Sequence, residues 1–262
     1  MLLLNMTLSS WLSKIKVTLS ISARCIISLN FFNINLMHIV EQIIMVGPES
    51  LTISLLTSCF VGMVFTLQVA KEFLYLNASS MVGAILTFAF IRELCPVLTS
   101  VIVAGRVGSS FTAEIATMKV TDQIDALYLL KTDPLLYLVM PRLVACVSML
   151  PILNLISLIT SLASSIFICF VFYNINPAVF LISSLSALSL LDVFKSSLKT
   201  MVFGFVFCNI SCSWGLTTTG GSKGIGQSTT SSVVTSLLMI FIIDFILSYL
   251  MFNHIDSSIK SL

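Results

Sequence analysis

Uncharged, mostly apolar runs recur along this chain at lengths suited to a lipid bilayer, whose hydrocarbon layer a helix crosses with about 20 such residues. Residues 50–70 form the first run, closed by Lys71 and Glu72. Residues 80–105 form the second, interrupted near its middle by Arg92 and Glu93. No charge then occurs between Arg142 and Asp192, a stretch too long for one crossing, and Asn174, Asn176 and Pro177 supply a break inside it. The pattern predicts one long helix over about 134–173 and a short apolar segment over 178–191. Residues 198–217 give a fourth span, and 232–252, which contain Asp244, a fifth. The expected fold is an all-α membrane protein with five transmembrane helices, or six if 178–191 also crosses.

Ahead of the first span, residues 11–32 mix apolar positions with Lys14, Lys16 and Arg24 and begin with Trp11. Such a segment suits an interfacial helix lying among lipid headgroups, cations toward the phosphates. The chain then divides into an N-terminal segment, 1–49, and a transmembrane domain, 50–262. Because the three cations follow the apolar start instead of preceding it, a cleaved signal is not expected. Lys and Arg concentrate in the N-terminal segment and in the connection over about 106–134, which carries Arg106, Lys119 and Lys131. By the positive-inside rule both face the cytoplasm or its organellar equivalent.

Composition narrows the reading further. Of the 262 residues 57% are hydrophobic and 9% charged, with a mean hydropathy of +1.08, whereas a soluble domain carries about 25% charged residues. That excludes a soluble globular enzyme and a disordered chain. A net charge of +2 gives no electrostatic grip on nucleic acid. The seven cysteines sit mostly in apolar runs without zinc-ligand spacing, and His38 and His254 stand apart, so the thiols read as small buried hydrophobes. Gly220, Gly221, Gly224 and Gly226 match neither phosphate-binding glycine pattern, which makes 217–232 a flexible small-residue turn. Asn77 begins a formal glycosylation sequon. No nucleophile and base, nor a pair of hydrolytic carboxylates, is recognisable, so this chain is not expected to be an enzyme.

Charge inside the spans is the informative exception. Arg92 and Glu93 each cost about 2.5–3.5 kcal/mol at the centre of a membrane helix. Neighbours on a helix point about 100° apart, so each needs a partner elsewhere. Lys199 and Asp244 are the candidates, Lys199 for Glu93 and Asp244 for Arg92. The four either hold helices together or line a polar cavity. The connection over 106–134 offers the other candidate set. Glu114, Thr121, Asp122, Gln123, Ile124 and Leu127 are interleaved with apolar positions, and a short helix over 121–127, capped by Thr121 with Ile124 and Leu127 on one face, is expected. It either docks into a partner's groove or rests on lipid.

Several of these residues fall in one ordered pattern. Arg92-Glu93-Leu94-Cys95-Pro96-Val97-Leu98-Thr99 is followed by Ala104-Gly105-Arg106-Val107-Gly108-Ser109, by 113–127 (AEIATMKVTDQIDAL), and by Asp133-Pro134 and Pro141-Arg142. Over about 50 residues this resembles the signature of MlaE-type permeases, the membrane subunits of ABC lipid transporters that work with MCE-domain proteins. The composition is similar to the plastid-encoded algal branch. The resemblance implies a homodimer, two ATPase subunits that carry ATP and Mg on the cytoplasmic or stromal face, an MCE-domain lipid-binding protein on the other, and a phospholipid or related lipid as substrate. It implies a plastid envelope or a bacterial inner membrane as location, no cofactor on this chain, a charged set at Arg92, Glu93, Lys199 and Asp244, and a cytoplasmic coupling helix between spans two and three at 121–127. Cys95 stands where the family's motif has Gly, and 226–228 lack an Arg that some relatives have. A different reading is a stand-alone ion-coupled secondary transporter in which Glu93 and Asp244 relay protons; the odd span count and absence of internal repeats disfavour it. A non-transporting membrane scaffold is a third.

Overall fold

A computed structural model describes residues 14, 16–24, 36–76 and 78–252, and every regular element among them is helical. Trp11, Cys25, Asn77 and His254 lie outside the described residues, as do 11–13, 15 and 25–32 of the expected interfacial helix. In chain order the helices are α1 (Leu36–Val46), α2 (Pro48–Tyr75), α3 (Val82–Ala89), α4 (Cys95–Val103), α5 (Ser109–Val120), α6 (Gln123–Leu129), α7 (Met140–Tyr173), α8 (Pro177–Ala187), α9 (Leu190–Leu216) and α10 (Gly221–Phe252). Wider π-helical turns at Phe90–Leu94, Ala104–Gly108 and Leu135–Val139 join α3 to α4, α4 to α5, and lead into α7.

Four stretches among the described residues are long and apolar enough to cross a membrane: Met37–Tyr75, Val82–Val120, Leu135–Tyr173 and Gly221–Met251. The pair α8 and α9, bent by 73° at its break, is a fifth candidate. A separate sixth crossing is corrected, because the apolar segment after Pro177 ends at Ala187 after 11 residues, about 16 Å of helix. The break before it is where the asparagines and proline place it. Asn174 has φ of 50°, and Asn176 caps α8 by accepting from the Ala178 amide at 3.0 Å, with Pro177 next in the first turn.

Two polar stretches expected as loops are helical instead. Val82–Val120 runs for 39 residues, nearly twice the roughly 20 that a crossing needs. Its polar end, α5, is helix where a loop was expected, and the loop over 106–134 shrinks to the segment around α6. Likewise the expected turn over 217–232 is helix from Gly221 onward. Only 217–220 are irregular, with positive φ at Gly220 (95°) and Gly221 (68°), a backbone shape open to glycine at little cost.

The chain forms two compact units. The first combines residues 1–49, 103–149 and 203–240. Here residues 16–24 are helical, with Ile21 buried. Thr18 Oγ1 lies 2.7 Å from Ser213 Oγ, and Lys14 Nζ lies 5.9 Å from the Trp214 ring, where burial pushes the ammonium pKa down. Close helix contact explains the small residues: a Cβ on Gly215 would meet Ile115 Cβ at 2.7 Å. Thr112 Oγ1 bonds Ser211 O and Ser232 Oγ, both at 3.0 Å, tying α5 to α9 and α10.

The second unit combines residues 50–102, 150–202 and 241–262. In it α2 buries Ser50, Ser54, Ser58, Gly62, Thr66 and Ala70, one residue per turn on a single face. Against them α7 offers hydroxyls, with Ser54 to Ser157 at 2.8 Å, Ser58 to Thr160 at 2.5 Å and Thr66 to Ser165 at 2.7 Å. Small residues permit this approach in a bilayer, where helix association depends on close packing and interhelical hydrogen bonds. Phe90, Leu86, Ile91 and Phe180 centre the apolar cluster beside it.

Candidate functional site

The charges foreseen within the spans meet in the second unit, around Lys199 of α9. Its side chain is 1% exposed. Nζ donates to the Arg92 carbonyl at 3.0 Å, to Glu93 Oε2 at 3.0 Å and to Ser248 Oγ at 2.7 Å, which uses its three N–H groups. Ser248 in turn donates to Glu93 Oε1 at 2.8 Å, closing a ring among α9, α10 and the π turn. Asp244 Oδ1 lies 2.5 Å from the same Nζ, off the hydrogen-bonding direction, and has no donor of its own. The Lys199–Glu93 pairing agrees with the spacing argument.

The expected pairing of Arg92 with Asp244 is corrected. Asp244 shares Lys199, while Arg92 Nη2 lies 3.6 Å from Asp192 Oδ2 and its guanidinium 4.8 Å from the Phe88 ring centre. Asp192 stands at the start of α9 beside the 73° break, where Ser189 Oγ donates to its Oδ2 at 2.8 Å and accepts from its amide at 3.1 Å. The arrangement sets two cations, Arg92 and Lys199, against three carboxylates brought from helices distant in sequence. Asp192 and Ser248 were missed by the sequence reading. The sign of Asp192 was visible at the end of the uncharged run, and Ser248 lies one turn after Asp244, on the same face of a helix.

The second candidate set lies in the first unit. Asp122, not Thr121, is the residue before α6; it has φ of 58° and makes no side-chain cap, while Thr121 Oγ1 donates back to Thr117 O at 2.9 Å. Ile124 is buried and anchors α6. Thr121, Asp122 and Gln123 are exposed and Leu127 is half-buried. Glu114 points inward from α5. Its Oε2 accepts from Arg142 Nη2 at 2.7 Å and its Oε1 from Ser110 at 3.2 Å, and Arg142 also lies 5.0 Å from the Phe111 ring centre. Exposed apolar surface sits past the predicted stripe, at Tyr128, Leu129 and Leu130, with Leu129 86% exposed.

Residues 39–250 match the profile of the family described as Permease MlaE. The chain belongs to that family. This permease is 54% identical over 257 residues, 98% of both chains, to the "Probable ABC transporter permease protein ycf63" of Pyropia yezoensis. It is 51% identical to the "Probable ABC transporter permease protein slr1045" of Synechocystis sp., over 94% of each chain. The "Protein TRIGALACTOSYLDIACYLGLYCEROL 1, chloroplastic" of Arabidopsis thaliana is 46% identical over 84% of this chain and 63% of its own length. The permease is an integral membrane protein of a plastid envelope or a bacterial inner membrane. Cys95 is buried with Sγ 3.5 Å from Ser161 Oγ, so its thiol fills space against α7.

Proposed function

We propose that this permease is the membrane subunit of an ABC transporter that moves a phospholipid or related glycerolipid. Two copies enclose the lipid path, a separate ATPase supplies ATP, Mg and the hydrolysis step, and an MCE-domain protein receives or delivers lipid on the far side. The observation that carries the reading is α6, seven residues long, anchored by Ile124 and presenting Tyr128, Leu129 and Leu130 outward. In the first unit, which holds α5 and α6, the Arg142–Glu114 pair fixes the helix that α6 terminates. A push on this tip is then transmitted as a tilt of the long helix, the movement that nucleotide-driven closure requires. The ABC transporter names of the relatives support this reading, and the glycerolipid in the Arabidopsis relative's name supports the substrate class. A stand-alone ion-coupled carrier has no use for such a tip.

Affinity purification of the full chain in mild detergent tests the proposal. The expected result is co-purification of a nucleotide-binding subunit, an MCE-domain protein and bound glycerolipid, with Leu129→Asp losing the ATPase while keeping the lipid. Lipid transport that continues with no ATPase bound would overturn it in favour of the carrier.

A further inference from the structure

An intramembrane Lys and Arg beside a lipid path suggest a grip on lipid phosphate, but the cluster around Lys199 is arranged the other way. All three N–H groups of Lys199 are spent on Arg92 O, Glu93 and Ser248, and the side chain is 1% exposed, so no ammonium donor is left for an outside anion. Arg92 faces Asp192 and the Phe88 ring. Lys195, one turn before Lys199, donates to the Met251 carbonyl at 3.2 Å. The group that does reach outward is a carboxylate: the Glu93 side chain is 46% exposed, against 26% for Arg92 and 18% for Asp244. Each Glu93 oxygen accepts one bond from inside the cluster and retains lone-pair capacity for a second. Along α10, Phe241, Phe245 and Tyr249 are exposed at successive turns, an apolar stripe next to the face that carries Asp244 and Ser248.

We propose that the outward edge of this cluster, centred on Glu93, is an acceptor surface for a lipid headgroup that carries hydrogen-bond donors and no net negative charge, a sugar hydroxyl or a primary ammonium. The proposal rests on the lipid-transport reading and specifies its substrate. An anionic phosphate brought to this edge meets a cluster in which two carboxylates, Glu93 and Asp244, share one ammonium, in a medium of low dielectric where like charges repel far more than in water. A donor-bearing headgroup gives Glu93 the bonds that the interior leaves unfilled, while acyl chains lie along the aromatic stripe.

The test is native mass spectrometry of the full chain, purified in detergent and offered four lipids of identical acyl composition: monogalactosyldiacylglycerol, phosphatidylethanolamine, phosphatidylglycerol and phosphatidic acid. At least one of the first two is expected to be retained about tenfold more strongly than either anionic lipid, and which of them leads identifies the donor as hydroxyl or ammonium. Glu93→Gln is expected to shrink that ratio to about twofold or less, since one unit of charge is removed at nearly constant shape. Equal or tighter binding of phosphatidic acid by the unsubstituted chain overturns the proposal whether or not the variant folds, and so does a ratio that Glu93→Gln leaves intact. If none of the four lipids binds, the transport reading itself fails, a result distinct from a reversed ranking.

Discussion

Pro96 helps explain why an ammonium sits inside this bundle. Proline has no amide hydrogen, so the carbonyl four residues earlier, that of Arg92, loses the donor an α-helix would supply. Lys199 Nζ takes that place at 3.0 Å and at the same point meets the two carboxylates. Removing it leaves a carbonyl and two acids uncompensated. Lys199→Met is therefore expected to lower stability by about 3–5 kcal/mol, the usual cost of breaking a buried pair from one side. Ser248→Ala, which deletes one neutral link of the ring, is expected to cost about 1 kcal/mol. Thermal unfolding of the two variants in the same detergent measures the gap, and equal midpoints would show that Lys199 is not the hub. Glu93 and Lys199 were recognisable as partners because opposite charges within apolar spans have few alternatives. Asp192 was not, since nothing local marks a residue at a helix start as the counter-ion of a distant guanidinium.

Helix pairing is controlled by side-chain size. On α2 every buried position from Ser50 to Ala70 is small, and a Cβ added at Gly62 would strike Ser164 Oγ and come within 2.7 Å of the Ser161 carbonyl. Gly62→Leu is expected to force α2 from α7 and destabilise the protein by about 1–3 kcal/mol. Gly105 and Gly226 have nothing within 4 Å of the corresponding point, so Gly105→Ala is expected to be neutral or to stabilise by up to about 1 kcal/mol through helix propensity. Chemical denaturation in detergent separates these outcomes; a Gly62 variant as stable as the Gly105 variant would refute the packing argument. The one-per-turn spacing of small residues is present in the sequence, but reading 50–70 as an uncharged apolar run did not single it out. The helical state of 106–120 and 221–232 was not legible either, because both are polar enough to read as loop when hydrophobicity alone is followed. Propensity and continuity with an apolar helix override that signal.

The distribution of cations predicts an orientation for the permease through the positive-inside rule. Leu130, next to Lys131, and Leu76, just beyond Lys71 and Glu72, are both exposed and lie near opposite ends of predicted spans. Leu130→Cys is expected to react with a membrane-impermeant maleimide from the cytoplasmic or stromal side, and Leu76→Cys from the other side, each compared with the unsubstituted chain in sealed vesicles of known orientation. Labelling of both from one side would invalidate the assigned topology. Composition and run lengths sufficed to determine that the chain is a helical membrane protein, roughly where it crosses and which ionised residues had to find partners. Those properties follow from transfer energies and periodicity, which belong to residues taken in order. Tertiary structure alone decided which charge answers which, that Glu114 turns inward to Arg142 while Leu129 and Leu130 turn out, and that Lys199 spends all its donors internally and leaves a carboxylate at the surface. Those outcomes depend on distances of about 3 Å between helices far apart in the chain, and the hydrogen-bonding capacity of each group is assigned only when the helices meet.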